Sequence, residues 1–419
     1  MEVIKRSYIL DTNMKKIFLL IIYSCISITV IYSVLISNSQ KTISEVENRT
    51  LVNKNDLINN VNFKNNSFQN TFHNLTSDQY PLKKEINYLG NIYNNFKCIV
   101  TNNIVPNNDN VLIKDGQGYK ISNTDYYVFD KFNYDEQKET LLENRIWNFE
   151  RIYEKYGDMY KMYIYKPSCA YEENWFDNRY YTSQANYCWD KIYNQLNEKY
   201  TIFKQNYNDL NDYKNNHYKT DHHWNYKGAY EGYCEIIDII RNDFKEINEP
   251  YKIASTVQSI YPFYGSITSR NGNVLGFDEF VAYTLDYDNN YDYYINDQKV
   301  ESLGEGKNAL LREDDYYYSS YYGTSENIKI VNNNSNNDLS ILIFGDSFTN
   351  SIREDLAAHF KYTYIIDTRG ITDPSDIYNT TFSLDKFLKN NKIDCILWLQ
   401  YFQNLYFESS CYLHIDLDY

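Results

Sequence analysis

An apolar run that ends in a Gly-Asp-Ser turn, Leu339–Phe348, most constrains the fold of this chain. The run is short and mostly aliphatic, as expected for a buried strand. The turn would place Ser347 at the start of the next helix, where backbone N–H groups lack partners and can stabilise an oxyanion. Hydrolytic α/β folds present a nucleophilic serine in this way. A serine that only caps a helix has the same local pattern, so the turn alone does not decide between the two.

Three of the six histidines lie within seven residues of one another, next to an aspartate. They are His217, His222 and His223, and the aspartate is Asp221. On extended backbone, side chains two residues apart point to the same side. Asp221 could then hold the Nδ1–H of His223 and leave Nε2 facing Ser347. An acyl-transfer triad, which is defined by roles and not by chain order, needs these three parts.

The same stretch allows other interpretations. His222 would point away from His223, in a structural or substrate-facing role, and Trp224 would pack behind the imidazole. His217, Asp221, His222 and His223 could instead hold a metal ion, although no further ligand is evident, or they could form a structural cluster. Because the serine turn supplies the missing nucleophile, we favour the triad and predict neither a metal nor a cofactor. His222 and Trp224 are retained as candidate substrate-binding residues.

Composition excludes one class of partner. The 419 residues carry a formal net charge of −15, whereas nucleic-acid binding needs a basic face. The chain also holds 47 tyrosines. Such a bias means that single exposed tyrosines carry little functional information. From the acidic net charge, we predict no nucleic-acid partner.

An uncharged apolar segment, residues 17–36, is long enough for one helix across a bilayer. Four basic residues precede it: Lys5, Arg6, Lys15 and Lys16. Positive charge stays on the cytoplasmic side, so residues 1–16 are predicted to be cytoplasmic and the rest exported. A cleaved signal peptide is the alternative, but the apolar run is long for one and no Ala-x-Ala site follows it. We predict a single-pass cell-membrane protein with its main domain outside.

The remainder of the chain divides by pattern. Residues 37–94 are predicted to be an extracytoplasmic stalk with a short helical segment. Residues 95–419 alternate strand-like and helix-like stretches, which favours a mostly parallel sheet covered on both faces. Residues 255–335 differ, because tyrosine, aspartate and asparagine dominate and no helical period is visible. We predict an irregular insertion of hairpins or loops there.

Seven cysteines occur without any C-x-x-C spacing, so a zinc site is not indicated. Export would permit disulfides, but the sequence does not pair them, and free thiols are an equal alternative.

The stretch Tyr218–Tyr230, with Asp-His-His-Trp at its centre, resembles the DHHW family of bacterial exported proteins. That family is similar to the alginate O-acetyltransferases of the SGNH-hydrolase superfamily, in which an Asp-x-His-Trp motif precedes the serine motif. Six further stretches fit the resemblance: Glu45–Arg49, Asp78–Pro81, Ile113–Gly116, Phe263–Ser266, Gly345–Phe348 and Asp367–Arg369. The resemblance runs from about residue 45 to the end, and it is least supported over 270–335.

The resemblance implies a three-layer α/β sandwich of SGNH type, with Ser347 as nucleophile, His223 as base and Asp221 as its orienting group. It also makes Arg369 and Tyr264 candidate substrate-binding residues. Two features depart from most SGNH hydrolases, in which the serine comes first and the acid and base are spaced Asp-x-x-His. The glycine and asparagine that complete the oxyanion hole in that superfamily have no evident counterparts in this sequence.

The function that the resemblance implies is O-acyl transfer, most simply of acetyl, to a cell-envelope glycan. A multispanning membrane O-acyltransferase is then expected as a partner that supplies acyl groups. Two alternatives remain open. The chain could be a carbohydrate esterase that uses the same triad with water, or an inactive glycan-binding protein.

Overall fold

The computed structural model describes residues 134–169, 184–270, 276–312, 317–323, 327–367 and 382–407, together with Trp175 and shorter pieces within 24–128 and 372–380. The chain divides into two compact units, Met1–Tyr93 and Asn94–Tyr419. In the first unit, β1 (Ile43–Ser44) pairs antiparallel with β2 (Arg49–Thr50). The elements described next belong to the second unit.

A sheet of eight strands forms the centre of the second unit. Five neighbouring strands are parallel: β6 (Lys161–Lys166), β7 (Thr201–Lys204), β13 (Ser340–Gly345), β14 (Tyr362–Asp367) and β17 (Cys395–Leu399). Their order is β14-β13-β17-β6-β7. Every residue of β13 is buried, as its continuous apolar sequence predicts. A mixed α/β fold with a mostly parallel sheet is confirmed.

Three antiparallel strands extend this sheet: β10 (Tyr291–Ile295), β11 (Gln298–Val300) and β12 (Ile328–Asn332). They continue the order as β11-β10-β12, with β12 beside β14. Asn296 and Asp297 join β10 to β11 with φ angles of 48° and 63°, which suits a two-residue hairpin turn. Strands β10 to β12 of the segment 255–335, predicted as an irregular insertion of hairpins or loops, are therefore continuous with the central sheet.

Nine α-helices have their bounds within the described part of the second unit. They are α1 (Glu136–Tyr156), α2 (Ala185–Leu196), α3 (Leu210–Asn216), α4 (Tyr226–Asp243), α5 (Ser266–Arg270), α6 (Tyr317–Tyr322), α7 (Arg353–Ala357), α8 (Leu384–Asn390) and α9 (Phe402–Phe407). Two 3₁₀ helices span Gly306–Leu311 and Thr349–Ser351. Both α5 and α6 fall within 255–335, and they are too short to show a helical period in the sequence.

The helices cover both faces of the sheet. On one face, the Tyr163 hydroxyl donates to Asp243 of α4 at 2.7 Å. On the other, Trp398 of β17 lies 5.3 Å from Phe149 of α1, measured between ring centroids. Tyr163 pairs with Leu397, the neighbour of Trp398, and adjacent residues of a strand face opposite sides. Helices α1 and α4 therefore lie on opposite faces, and the architecture has three layers.

Helix α4 begins where the Asp-His-His-Trp segment ends. The Asn225 side chain caps it by accepting from the backbone N–H groups of Lys227 and Gly228, at 2.9 and 3.4 Å. An apolar stripe at helical spacing buries the helix: Ala229, Tyr233, Ile236, Ile237 and Ile240. The cap sets the residue at which α4 begins, and the buried stripe sets how α4 packs. Together they position the Asp-His-His-Trp segment that precedes the helix.

Smaller sheets complete the described elements. One joins β3 (Leu112–Asp115), β4 (Gly118–Ile121) and β5 (Tyr127–Val128) in antiparallel order. A second pairs β8 (Ile253–Gln258) with β9 (Val281–Leu285), and a third pairs β15 (Thr372–Asp373) with β16 (Asp376–Thr380).

Two predictions depend on residues that are only partly described. Within the described residues, no helix combines the length and apolar character needed to cross a bilayer. The predicted anchor at 17–36 lies outside those residues except for Ser24, and it stays a prediction. Four cysteines of the described part carry free thiols: Cys169, Cys188, Cys234 and Cys395. The others, Cys25, Cys98 and Cys411, lie outside it.

Candidate active site

Ser347 lies two residues beyond the end of β13, at the carboxyl-terminal edge of the parallel strands. The buried carboxylate of Asp346 holds this turn in place. It accepts from the backbone N–H of Phe348 at 2.9 Å, from that of Tyr401 at 2.7 Å and from the Asn404 side chain at 2.6 Å. The Asp of the Gly-Asp-Ser turn therefore fixes the serine to the chain that follows β17.

The structure brings together the three residues predicted to form the triad. The Ser347 hydroxyl lies 2.8 Å from Nε2 of His223. Nδ1 of the same ring lies 2.5 Å from Oδ1 of Asp221. These contacts form one continuous hydrogen-bonded chain from carboxylate to hydroxyl, with a ring tautomer that carries its proton on Nδ1. The base is therefore in reach of the nucleophile, and its orienting group is in reach of the base.

Asp221 is buried and fully engaged on both carboxylate oxygens. Oδ1 also accepts from the backbone N–H of His223 at 2.9 Å, and Oδ2 accepts from the backbone N–H of Ser266 at 2.6 Å. Burial alone would raise the pKa of Asp221, but the adjacent imidazoles of His223 and His222 hold it well below its usual value. The carboxylate therefore stays ionised and can stabilise an imidazolium.

Gly265 is required for this contact. A Cβ at this position would lie 2.4 Å from the backbone oxygen of Thr220 and 2.5 Å from the Asp221 Cβ. Only a residue without a side chain lets the chain approach closely enough for the Ser266 amide to reach the carboxylate. This gives a physical reason for the glycine in the Phe-Tyr-Gly-Ser stretch.

Tyr318 is a site residue that the sequence did not reveal. Its ring stacks on the imidazole of His223, with centroids 4.1 Å apart and planes at 15°. Its hydroxyl donates to the backbone oxygen of Ser347 at 2.9 Å. One side chain thus fixes both the base and the nucleophile's backbone. The surrounding Tyr-Tyr-Tyr run, in a chain so rich in tyrosine, offered no signal by which to single it out.

His222 differs from the expectation. Residues 218–223 form a series of bends and not an extended strand, so the rings of His222 and His223 lie side by side, with centroids 3.9 Å apart. Nδ1 of His222 is 3.0 Å from the Ser266 hydroxyl and 3.3 Å from Oδ1 of Asp221. The prediction that His222 points to the opposite side was wrong. Its side chain is 20% exposed, so it borders the site.

The other candidate residues have different positions. Trp224 is 1% exposed, and its indole N–H donates to the Ser351 hydroxyl at 2.7 Å, so it supports the site from within the core. His217 is also buried, stacked on Tyr213 at 4.0 Å, and burial lowers its pKa to about 3. Tyr264 lies directly before Gly265, close to Asp221. Arg369 lies outside the described residues.

The backbone donors near Ser347 are fewer than the turn predicted. The N–H of Phe348 binds Asp346, that of Thr349 binds the Asp346 backbone oxygen at 3.0 Å, and that of Asn350 binds the Ser347 oxygen at 3.3 Å. A short 3₁₀ helix, rather than an α-helix, follows the serine. Among the described residues, no acceptor pairs with the N–H of Ser347 itself. That amide remains the backbone donor for an oxyanion.

The same side chains are also a candidate metal site. Asp221, His222 and His223 each offer one ligand atom, and these atoms lie within 4.8 Å of one another. Three such ligands suit a catalytic zinc in number. In the geometry present, however, Nδ1 of His223 and Oδ1 of Asp221 are occupied by their mutual hydrogen bond, and Nε2 faces Ser347. The arrangement therefore fits a proton-transfer chain better than a ligand set.

A separate cleft of about 680 Å³ opens near the opposite edge of the sheet. Its lining includes Lys161 and Thr201, the first residues of β6 and β7, and Asp394, which precedes β17. Ligands of parallel α/β sheets bind at the carboxyl-terminal edge. The described residues that line this cleft include no serine, cysteine or histidine, so Ser347 and its neighbours remain the candidate active site.

Solved structures with the same architecture exist. A DHHW family protein from Eubacterium siraeum aligns with a TM-score of 0.53 at 18% identity, over 73% of this chain and 98% of that one. PatB1 of Bacillus cereus, in a structure with a sulfonyl adduct, aligns with a TM-score of 0.55 at 20% identity, over 72% and 98%. The O-acetyltransferase domain of Pseudomonas putida AlgJ reaches only 0.39 at 13% identity, which is too low to support an argument.

These alignments confirm the resemblance to a DHHW family protein at the level of the fold. At such identities a shared fold does not establish a shared activity. No protein-family model and no curated protein matches the sequence.

Proposed function

We propose that this chain is an exported O-acyltransferase that moves an acyl group, most simply acetyl, onto hydroxyls of a cell-envelope glycan. The hydrogen-bonded chain from Asp221 through His223 to Ser347 carries the proposal. It provides a nucleophile, a base and an orienting carboxylate in contact with one another, which is the minimum for covalent acyl chemistry.

In the first half-reaction, the Ser347 oxygen attacks the carbonyl carbon of a donor ester, and its proton passes to Nε2 of His223. The resulting imidazolium is stabilised by the ionised Asp221. The Ser347 amide donates to the oxyanion of the tetrahedral intermediate. Collapse breaks the ester C–O bond, and His223 returns the proton to the departing alcohol. An acyl ester on Ser347 remains.

In the second half-reaction, an acceptor hydroxyl gives its proton to His223 and attacks the acyl-serine carbonyl. Breaking the bond to Ser347 restores the serine oxygen, which recovers the proton from His223. If water replaces the glycan hydroxyl, the same steps give hydrolysis, and the chain is an esterase. Transfer prevails when a bound acceptor gains a large effective concentration over water.

One structure of PatB1 contains a sulfonyl adduct, and we expect a sulfonyl reagent to modify this chain at Ser347. The glycan acceptor rests on the family resemblance. An inactive glycan-binding protein is the less favoured alternative, because selection would not be expected to keep all three members of the hydrogen-bonded chain in register without catalysis.

The test supplies the full-length protein with 4-nitrophenyl acetate, with and without oligosaccharides prepared from bacterial envelopes, and follows the products by mass spectrometry. We expect acetylated oligosaccharide that depends on Ser347. Free acetate alone, unchanged by any acceptor and accompanied by acetate release from acetylated glycan, would identify an esterase instead. Absence of both products with a folded protein would favour the glycan-binding alternative.

We propose further that residues 17–36 anchor the chain in the cell membrane, with residues 37–419 outside. The basic residues before the apolar segment support this orientation. Protease added to intact cells should then degrade the region after the anchor, and complete protection would contradict export.

On the resemblance alone, we also propose a multispanning membrane acyltransferase as donor partner, which should crosslink to the chain in membranes. Crosslinks to no such protein would argue against it.

A further inference from the structure

The exposed face of Phe277, with the ring of Tyr264 beside it at an angle of 68°, forms an aromatic platform next to the segment that carries Asp221 and His223. The ring of Phe277 is 49% exposed, and its centroid lies 6.3 Å from that of half-buried Tyr264. The Nζ of Lys219 lies 5.8 Å from the Phe277 centroid. The exposed ring forfeits the gain from burial and offers an apolar face on which a ligand can pack.

The platform is held rigidly by a single carboxylate. Asp278, the residue after Phe277, accepts from the backbone N–H groups of Lys219 and Thr220 at 3.0 and 2.8 Å, and from the Thr220 hydroxyl at 2.5 Å. Its backbone also pairs with Phe263 through two hydrogen bonds of 2.8 and 2.9 Å. Both aromatic rings are thus attached to the same frame, and little ordering remains to be done when a ligand binds.

This frame leads directly into the catalytic residues. Gly265, which follows Tyr264, packs against Thr220 and Asp221. The next residue, Ser266, donates its backbone N–H to Asp221 at 2.6 Å, and its hydroxyl lies 3.0 Å from Nδ1 of His222. A ligand on the platform would therefore occupy the His222 side of the triad, where His222 is partly exposed.

We infer that Phe277, Tyr264 and Lys219 form the acceptor subsite, which binds one pyranose ring of the glycan. This inference rests on the proposed function and specifies where its acceptor binds. The apolar C–H face of a sugar ring packs on a flat aromatic surface, while its hydroxyl oxygens accept hydrogen bonds from a lysine ammonium group. A ring held there presents a hydroxyl towards the acyl group on Ser347 and gains the advantage of orientation over water.

The experiment uses the full-length protein, 4-nitrophenyl acetate as donor and a pentamer of β-1,4-linked N-acetylglucosamine as acceptor. Its readout is the partition of acetyl between pentamer and water. In Phe277→Ala we expect this ratio to fall on the order of five- to tenfold, because the acceptor loses its platform. Phe277→Trp should restore most of it. Trp147→Ala is the matched control, since Trp147 is an equally exposed aromatic at 51% on α1, and it should leave the partition unchanged.

A second measurement separates failure of the subsite from failure of the proposed function. Binding of the same pentamer to Ser347→Ala is followed by calorimetry, with and without the Phe277→Ala change. Binding that weakens on the order of five- to tenfold supports the subsite even if no acetyl is ever transferred, and in that case only the proposed transfer fails. No binding of the pentamer, or binding and partition that are indifferent to Phe277, would overturn the subsite.

Discussion

Replacing Ser347 with alanine should abolish ester turnover, with a loss in kcat on the order of 10⁴- to 10⁶-fold. The Ser347 hydroxyl lies 2.8 Å from Nε2 of His223, and we expect its oxygen to form the acyl intermediate. His223→Ala should cost about as much, because without a base the serine keeps its proton. The double variant should be no slower than either single one, since members of a triad act as a unit and their effects do not add.

Two matched controls accompany this prediction. Ser255→Ala removes an exposed serine hydroxyl whose partner is Thr284, on the β8–β9 sheet, and it should leave turnover unchanged. His222→Ala removes the ring beside His223 and should cost far less than His223→Ala. Steady-state hydrolysis of 4-nitrophenyl acetate measures all five variants. Losses that multiply in the double variant, or a His222 variant as slow as the His223 one, would contradict the assigned roles.

Asp221→Asn should lower kcat on the order of 10⁴-fold while leaving the fold intact. An asparagine that donates to Nδ1 favours the tautomer with its proton on Nε2, so the ring could no longer accept the proton of Ser347. It also leaves the imidazolium without a compensating charge. Each carboxylate oxygen also accepts from a backbone N–H group, so the asparagine loses one of these two bonds whichever way its amide is turned.

The pH range over which the Asp221 charge contributes follows from the direction in which its pKa is shifted. The histidines hold its pKa well below the usual value, so the contribution of its charge is fully present above the ordinary carboxyl range. That contribution is lost only as the pH falls through the depressed pKa. Asp221 should therefore show no carboxyl titration between about pH 5 and 9 when infrared difference spectra of the wild-type protein are compared with those of Asp221→Asn. A protonated-carboxyl band that appears within this range would show that the carboxylate titrates there.

A metal ion held by the same residues would make activity sensitive to a chelator. If Asp221, His222 and His223 held a zinc ion required for turnover, a chelator would remove activity and added zinc would restore it. We expect a chelator to have no effect on hydrolysis by the purified protein. Loss and recovery of activity would instead favour the metal site.

The sequence predicted the parts of the fold and site that depend on local pattern. An apolar run ending in Gly-Asp-Ser indicated β13 and the position of Ser347, and the Asp-x-His spacing indicated that Asp221 and His223 lie in contact. The orientation of His222 was not predictable in this way, because the bends of residues 218–223 depend on contacts made by Thr220 and Asp221 with Gly265, Ser266 and Asp278, which are distant in sequence.

Near Ser347, the position of Tyr318 and the pairing of the backbone N–H groups depend on tertiary contacts, which the sequence does not indicate. Tyr318 stacks on His223 only because α6 packs beside the serine turn. The backbone donors after Ser347 were expected to be free, but the 3₁₀ turn and the Asp346 carboxylate occupy three of them. The strands within 255–335 have a composition typical of loops. Strand β12 pairs with β14 and brings β10 and β11 into the central sheet, whereas β9 pairs with β8 in a separate one.

Covalent labelling of the full-length protein with a sulfonyl fluoride, followed by peptide mass mapping, tests directly whether Ser347 is the nucleophile. We expect one modified residue, Ser347, with no labelling in Ser347→Ala and much slower labelling in His223→Ala. Labelling that persists in Ser347→Ala, or that maps to a different residue in the wild-type protein, would contradict the assignment of Ser347 as the nucleophile.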